Sequence, residues 1–238
     1  MANWERTIWS DKRLENRVDE RGKFASQHHL GGRDRPIDGS AGAGAWQREI
    51  ITVDYRNSLV LQDLYDKVSR KAAASGKITE KSAIDAVYDI VKAVYTNKSS
   101  KAVDALLKRH DVGPDEPISL DEFVKEGTGV CRHMAMTVGV ILEKYVRQGY
   151  LRGEVSVDRN TDVRGGHAWV RYTHEDGRVT IIDVMQNFKG SLAKAMRKDN
   201  AWSYARPKEH VKGEKTQTID FTSGLRKDCG QYPVYTPN

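Results

Sequence analysis

Cysteine is nearly absent from this chain: 238 residues hold two, Cys131 and Cys229, 98 positions apart. That is neither a disulfide framework nor a Cys/His zinc pattern. No stretch approaches the run of about 20 apolar residues that a membrane span requires. The opening residues, MANWERTIWSDKRLENR, are charged throughout and lack an apolar segment, so a secretory signal is not expected. A reducing, cytoplasmic setting fits, with signal-independent export as an effector left open. Internal repeats and low-complexity tracts are lacking. The glycine-rich GSAGAGA before Trp46 has no Gly-Lys-Ser/Thr ending, so it reads as a linker rather than a phosphate loop. His28 and His29 have no acidic or Cys partner at ligand spacing, and no acidic cluster matches a calcium loop. No cofactor and no metal are therefore expected.

What remains is a composition of 38% hydrophobic and 30% charged residues, in a chain long enough for one good-sized domain with extensions or two small ones. The net charge is +6, and from Lys189 onward ten Lys/Arg face five Asp/Glu, so this tail supplies +5 of it. Its charges are scattered, with little aromatic interleaving beyond Trp202 and Tyr204. The pattern reads as a solvated surface, so neither nucleic acid nor membrane is expected as a partner.

Apolar periodicity divides the chain. Residues 1–45 are polar and Gly-punctuated, as a flexible or partly docked arm would be, with Trp4, Trp9 and Trp46 as the residues able to dock. Residues 46–118 read as a helical subdomain, with helices over 58–74, 78–96 (Thr79 as N-cap) and 100–110. A Ser-x-x-Glu capping box at Ser119 predicts a short helix over 119–123. A helix headed by Cys131 runs to about Gly149. The period then changes to two, predicting strands at 154–158, 166–173 and 178–185 and a helix at 191–198. The fold class is α+β, with a core over 119–200 and a basic, irregular tail over 201–238.

The stretch GTGVCRHMAM places Cys131 straight after a glycine-rich turn and at the start of a helix, where the dipole and free N–H groups favour a thiolate. Gly127 and Gly129 let the chain turn and a substrate approach, and the Cys131 N–H is one oxyanion donor. A thiol nucleophile needs an imidazole and a group to orient it. Of seven histidines only His167, in RGGHAWVRY, lies inside a strand, behind two glycines that leave room for its ring. A turn at Asp176-Gly177 makes an antiparallel hairpin. In one register Asp183 lies opposite His167, and in another it is a diagonal neighbour on the same face; either lets the carboxylate reach the ring. Trp169, on the same face, can shield that pair from water. Cys229 has no base in a matching context.

Taken in order, GVCRHMA, GGHAWVRY and VTIIDV resemble the transglutaminase-like superfamily, over roughly residues 119–190. The resemblance implies a papain-like core: a nucleophile-bearing helix packed on a small antiparallel sheet. It also implies a catalytic Cys131–His167–Asp183 triad and acyl transfer on a protein or peptide amide through a Cys thioester. Hydrolysis, by a peptidase, amidase or deamidase, is the first expectation. A cross-linking transglutaminase, or a catalytically silent binding module on the same fold, is the alternative. The chain departs from the pattern where papain-like enzymes carry an oxyanion glutamine, because Lys125 stands there. Tyr88 and Tyr95 are the candidates to replace it.

Overall fold

The computed structural model describes residues 23–24, 27–28, 37–43, 48–114, 116–162, 165–197, 202, 204–206, 209–212 and 215–218. Two short pairs lie near the ends of this range: β1 (Lys23–Phe24) with β2 (Gln27–His28), and β10 (Glu209–Lys212) with β11 (Lys215–Thr218). Between them, β3 (Ser40–Ala43) pairs antiparallel with β4 (Ile50–Val53), and β4 pairs parallel with β5 (Pro117–Ser119). The helices are α1 (Leu59–Ala72), α2 (Glu80–Val94), α3 (Ser100–Arg109), α4 (Leu120–Lys125), α5 (Cys131–Arg147) and α6 (Leu192–Met196). An antiparallel meander completes the fold: β6 (Gly153–Asp162), β7 (Gly165–His174), β8 (Val179–Asp183) and β9 (Phe188–Ser191). The class is mixed α+β. Among the described residues no helix is long and apolar enough to cross a membrane.

The helices start where short polar side chains can take up orphan N–H groups. Ser58 accepts from the Leu61 N–H at 2.9 Å and donates to Asp121 at 2.7 Å, fastening α1 to α4. Thr79 and Ser82 satisfy each other's backbone N–H groups at the head of α2. The box expected at Ser119 does not close. The Ser119 hydroxyl accepts from the Asp121 N–H, while Glu122 turns outward to Lys125.

Helix α5 is buried on nearly every side, as a central helix should be. One face of the sheet packs on it through Val157, Ala168, Val170, Tyr172 and Ile182. Its other neighbours are α1, α2 and α4, so one hydrophobic cluster runs across the expected boundary at 118/119. The opposite sheet face carries a second cluster: Trp169, Val179, Ile181, Phe188, Leu192, Ala195, Trp202 and Tyr204.

Two expectations change at the edges. Within the expected arm, Ile37 is fully buried in the main cluster, and the Ile37 and Asp38 N–H groups donate to the Glu143 carboxylate of α5. Past residue 200 the tail is not wholly irregular. Trp202, Tyr204 and Arg206 cross the sheet as a strap, and Arg206 donates to both oxygens of buried Asp158 at 2.9 Å. Trp4, Trp9, Trp46 and Cys229 lie outside the described residues.

Candidate active site

The chain reaches Cys131 through a turn that only glycine permits. Gly127 has φ +59°, and a Cβ there would lie 2.6 Å from the Val94 carbonyl oxygen. At Gly129 a Cβ would sit 2.6 Å from the Tyr95 ring and 2.9 Å from the His133 Cβ. The space at Gly129, expected to admit substrate, is thus filled by Tyr95, whose hydroxyl is committed to Thr137 at 2.8 Å. Tyr95 is therefore not available as an oxyanion donor. The first turn of α5 is capped unusually: Val130 precedes it, and the His133 Nδ1 accepts the Val130 N–H at 3.0 Å. Among the described residues no acceptor takes the Cys131 N–H, so it stays free beside its own sulfur.

Strand β7 alternates its side chains between the two clusters. Ala168, Val170 and Tyr172 face α5, while His167, Trp169 and Arg171 face the other way. The β7–β8 register pairs Val170 with Ile182 and Tyr172 with Thr180, which makes His167 and Asp183 diagonal neighbours on one face. At that end of the sheet the imidazole meets the helix start. His167 Nε2 lies 2.5 Å from Asp183 Oδ2, and the ring is close enough to the Cys131 thiol for each to shift the other's pKa. The Ala168 backbone N–H is also near enough to the sulfur to favour its charged form. The structure thus brings together the three residues singled out in the sequence.

Asp183 is buried, and its carboxylate is fully used. Oδ2 accepts from His167 and from the Tyr204 hydroxyl at 2.9 Å, and Oδ1 accepts from the Gln186 N–H at 2.9 Å. The indole that covers the pair is Trp202, stacked on the imidazole at 4.7 Å and 23°, while Trp169 stands further off at 6.1 Å. Neither Trp202 nor Tyr204 had a signal in the sequence beyond being aromatics in a basic tail.

These contacts set the charges. Burial alone would lower the His167 pKa, but the hydrogen bonds to Asp183 and Cys131 raise it to about 9. Burial pushes the Cys131 thiol up; His167, the Ala168 N–H and nearby Arg132 outweigh it, and the thiol is held below its usual range. Both shifts favour a thiolate–imidazolium pair.

A second buried network supports the helix start. Glu49, just before β4, meets Arg132 Nε at 2.7 Å, and His133 Nε2 lies 3.0 Å from the same oxygen. Burial would raise the Glu49 pKa, yet His133 and Arg132 hold it near 2. His174 sits elsewhere, between Thr180 and Glu80. Among the described residues no group of His, Cys, Asp and Glu could hold a metal ion. The sequence signal that could have found Glu49 was an acid directly before the β-branched run IITV.

Comparison with protein-family models, with curated proteins and with solved structures found no match.

Proposed function

We propose that this protein is a thiol-dependent acyltransferase acting on amide bonds, most simply a hydrolase, built on a papain-like, transglutaminase-type core. The observation that carries this reading is the buried His167–Asp183 pair beside a thiol at a helix N-terminus. His167 takes the proton of the Cys131 thiol. The thiolate attacks the amide carbonyl, and the tetrahedral oxyanion accepts a hydrogen bond from the Cys131 N–H. Collapse breaks the C–N bond, and the amine leaves with the proton from the His167 imidazolium. The thioester is then resolved by water, with His167 again as base, giving the acid and the free thiol. A primary amine in the place of water would give cross-linking. Water is the resolver in greater abundance, which favours hydrolysis.

The test uses a synthetic peptide library read by mass, with and without an added primary amine, on the wild type and on Cys131→Ala. Addition of water across a backbone amide marks a peptidase. Conversion of a side-chain –NH2 to –OH marks a deamidase, and amine incorporation marks a cross-linker. Each should vanish in Cys131→Ala. In parallel, Cys131 should be alkylated by iodoacetamide at pH 6 well above the rate of glutathione. A silent library together with a glutathione-like rate would refute the reading.

A further inference from the structure

Within electrostatic reach of the sulfur stands a guanidinium that the triad does not use. Arg159 lies on β6 directly opposite Ala168, the residue whose N–H reaches the Cys131 sulfur. Its side chain leans along the sheet into the space left by Gly166, where an added Cβ would be 2.7 Å from Nη2 and 3.2 Å from Nε. The second glycine before His167 therefore makes room for an arginine rather than for the imidazole.

Among the described residues no partner hydrogen-bonds or pairs with the Arg159 guanidinium, although the residue is only partly exposed. The acids around it are committed. Asp183 holds His167, Tyr204 and Gln186, while Glu49 holds Arg132 and His133. Asp158, next in the strand, accepts from Arg206 and Ser156. Its electrostatic neighbours include two more guanidiniums, Arg132 and Arg48. Burial and these like charges press its pKa down, against the pull of Cys131. Arg132 is neutralised by Glu49, but Arg48 has no acidic partner among the described residues. It borders a cleft of about 550 Å³ that reaches Glu49. Holding an unpaired guanidinium within electrostatic reach of a half-buried thiol, with a second guanidinium near the first, is costly unless an anion joins them.

We propose that Arg159, assisted by Arg48, forms an anion subsite, so that the acyl group delivered to Cys131 carries a carboxylate close to the reacting carbonyl. This rests on Cys131 being the nucleophile. An acidic side chain beside the scissile amide and a free chain terminus both supply that chemistry. Arg159 is a specificity-determining residue in this proposal: it pairs with the substrate's charge and takes no proton.

Iodoacetate and iodoacetamide test it, because they share one reaction and differ in charge. In each, the thiolate sulfur forms a bond to the CH2 carbon and iodide leaves with the electron pair. Rate constants for Cys131 are measured with both reagents from pH 5 to 9, each divided by its value for glutathione. The ratio of the two is the readout, so any common effect on the thiolate cancels. Wild type should favour iodoacetate. The preference should fall about tenfold in Arg159→Gln, survive in Arg159→Lys, and shrink with added salt. Thermal midpoints of both variants are recorded alongside. N-acetylaspartyl amide and N-acetylalanine, protecting Cys131 against iodoacetamide, distinguish a side-chain from a terminal carboxylate. Fast iodoacetamide labelling with no iodoacetate preference in the wild type would overturn the subsite alone. A Cys131 that reacts like glutathione with iodoacetamide would overturn both the nucleophile and the subsite.

Discussion

Asp183 receives three donors on two oxygens, and an amide cannot serve all of them. If Asp183→Asn keeps its oxygen on the Gln186 N–H, its –NH2 faces His167 Nε2 and the Tyr204 hydroxyl. The hydroxyl can rotate. The imidazole can adapt only by moving its hydrogen to Nδ1, which points it at the thiol and removes the lone pair needed to take the proton. We therefore expect a folded protein whose Cys131 alkylation rate at pH 6 drops by roughly 10²–10⁴, the scale seen when a triad histidine is held in the wrong tautomer. Asp183→Ala should cost stability as well, at about 1–3 kcal/mol for each buried donor left without an acceptor. Equal rates in wild type and Asp183→Asn would leave the carboxylate no part in activating the thiol.

At the scale of elements, the start of α5 is where packing and chemistry meet. Gly129→Ala must displace the buried Tyr95 ring, which is tied to the same helix through Thr137. Overpacking of this kind costs about 1–3 kcal/mol, and the slower alkylation that should accompany it would show that the helix start, not only the core, has moved. Gly149→Ala is the control: φ there is +78° with nothing within 4 Å, so only backbone strain is added and the thiol should react normally. At the other edge, a chain starting at residue 46 should melt well below one starting at 37, because it loses Ile37 and the Glu143 contacts. Matching midpoints would mean that the docked segment is energetically idle. Helices α1 and α2 were legible because one-sided apolar spacing and Ser/Thr caps are local signals, and α5 because a long apolar run follows a glycine-rich turn. So was the β7–β8 hairpin, from its Asp-Gly turn. Strand β4 was not: all four residues of IITV are buried, so no alternation marks it, and its parallel partner β5 is three residues long and distant in sequence. Arg159 fell one residue beyond the strand read at 154–158. The strap from Trp202 to Arg206 depends on contacts about 20 to 50 residues away, which no local pattern encodes.

For the whole molecule, pH should act on stability through His133 rather than through the proposed catalytic pair. Burial, the largest influence, lowers the His133 pKa. The Glu49 contact opposes it, Arg132 reinforces it, and the result is about 4 against 6.5 in the unfolded chain. Between those values the unfolded chain binds a proton that the folded chain refuses, so stability is full above 6.5 and is lost as pH falls toward 4. Glu49, held near 2 against 4.5, prolongs the loss from about 4.5 downward. On the alkaline side His167 taken alone would add stability below 6.5 that disappears as pH rises through 9. Cys131 offsets it, because its lowered pKa makes the folded thiol release a proton that the unfolded thiol still holds. The two contributions oppose each other, so stability between 6.5 and 9 falls less than His167 alone would make it fall. Two variants separate these contributions. His133→Asn keeps an acceptor for the Val130 N–H but cannot titrate, so its midpoint should be lower at pH 7 and vary less between 6.5 and 4. Cys131→Ala removes the compensating thiol, and its midpoint should decline above pH 6.5 more steeply than that of the wild type. The check is thermal unfolding of all three proteins from pH 3 to 9. A wild type that declines above 6.5 as steeply as Cys131→Ala would show that no proton is shared between Cys131 and His167.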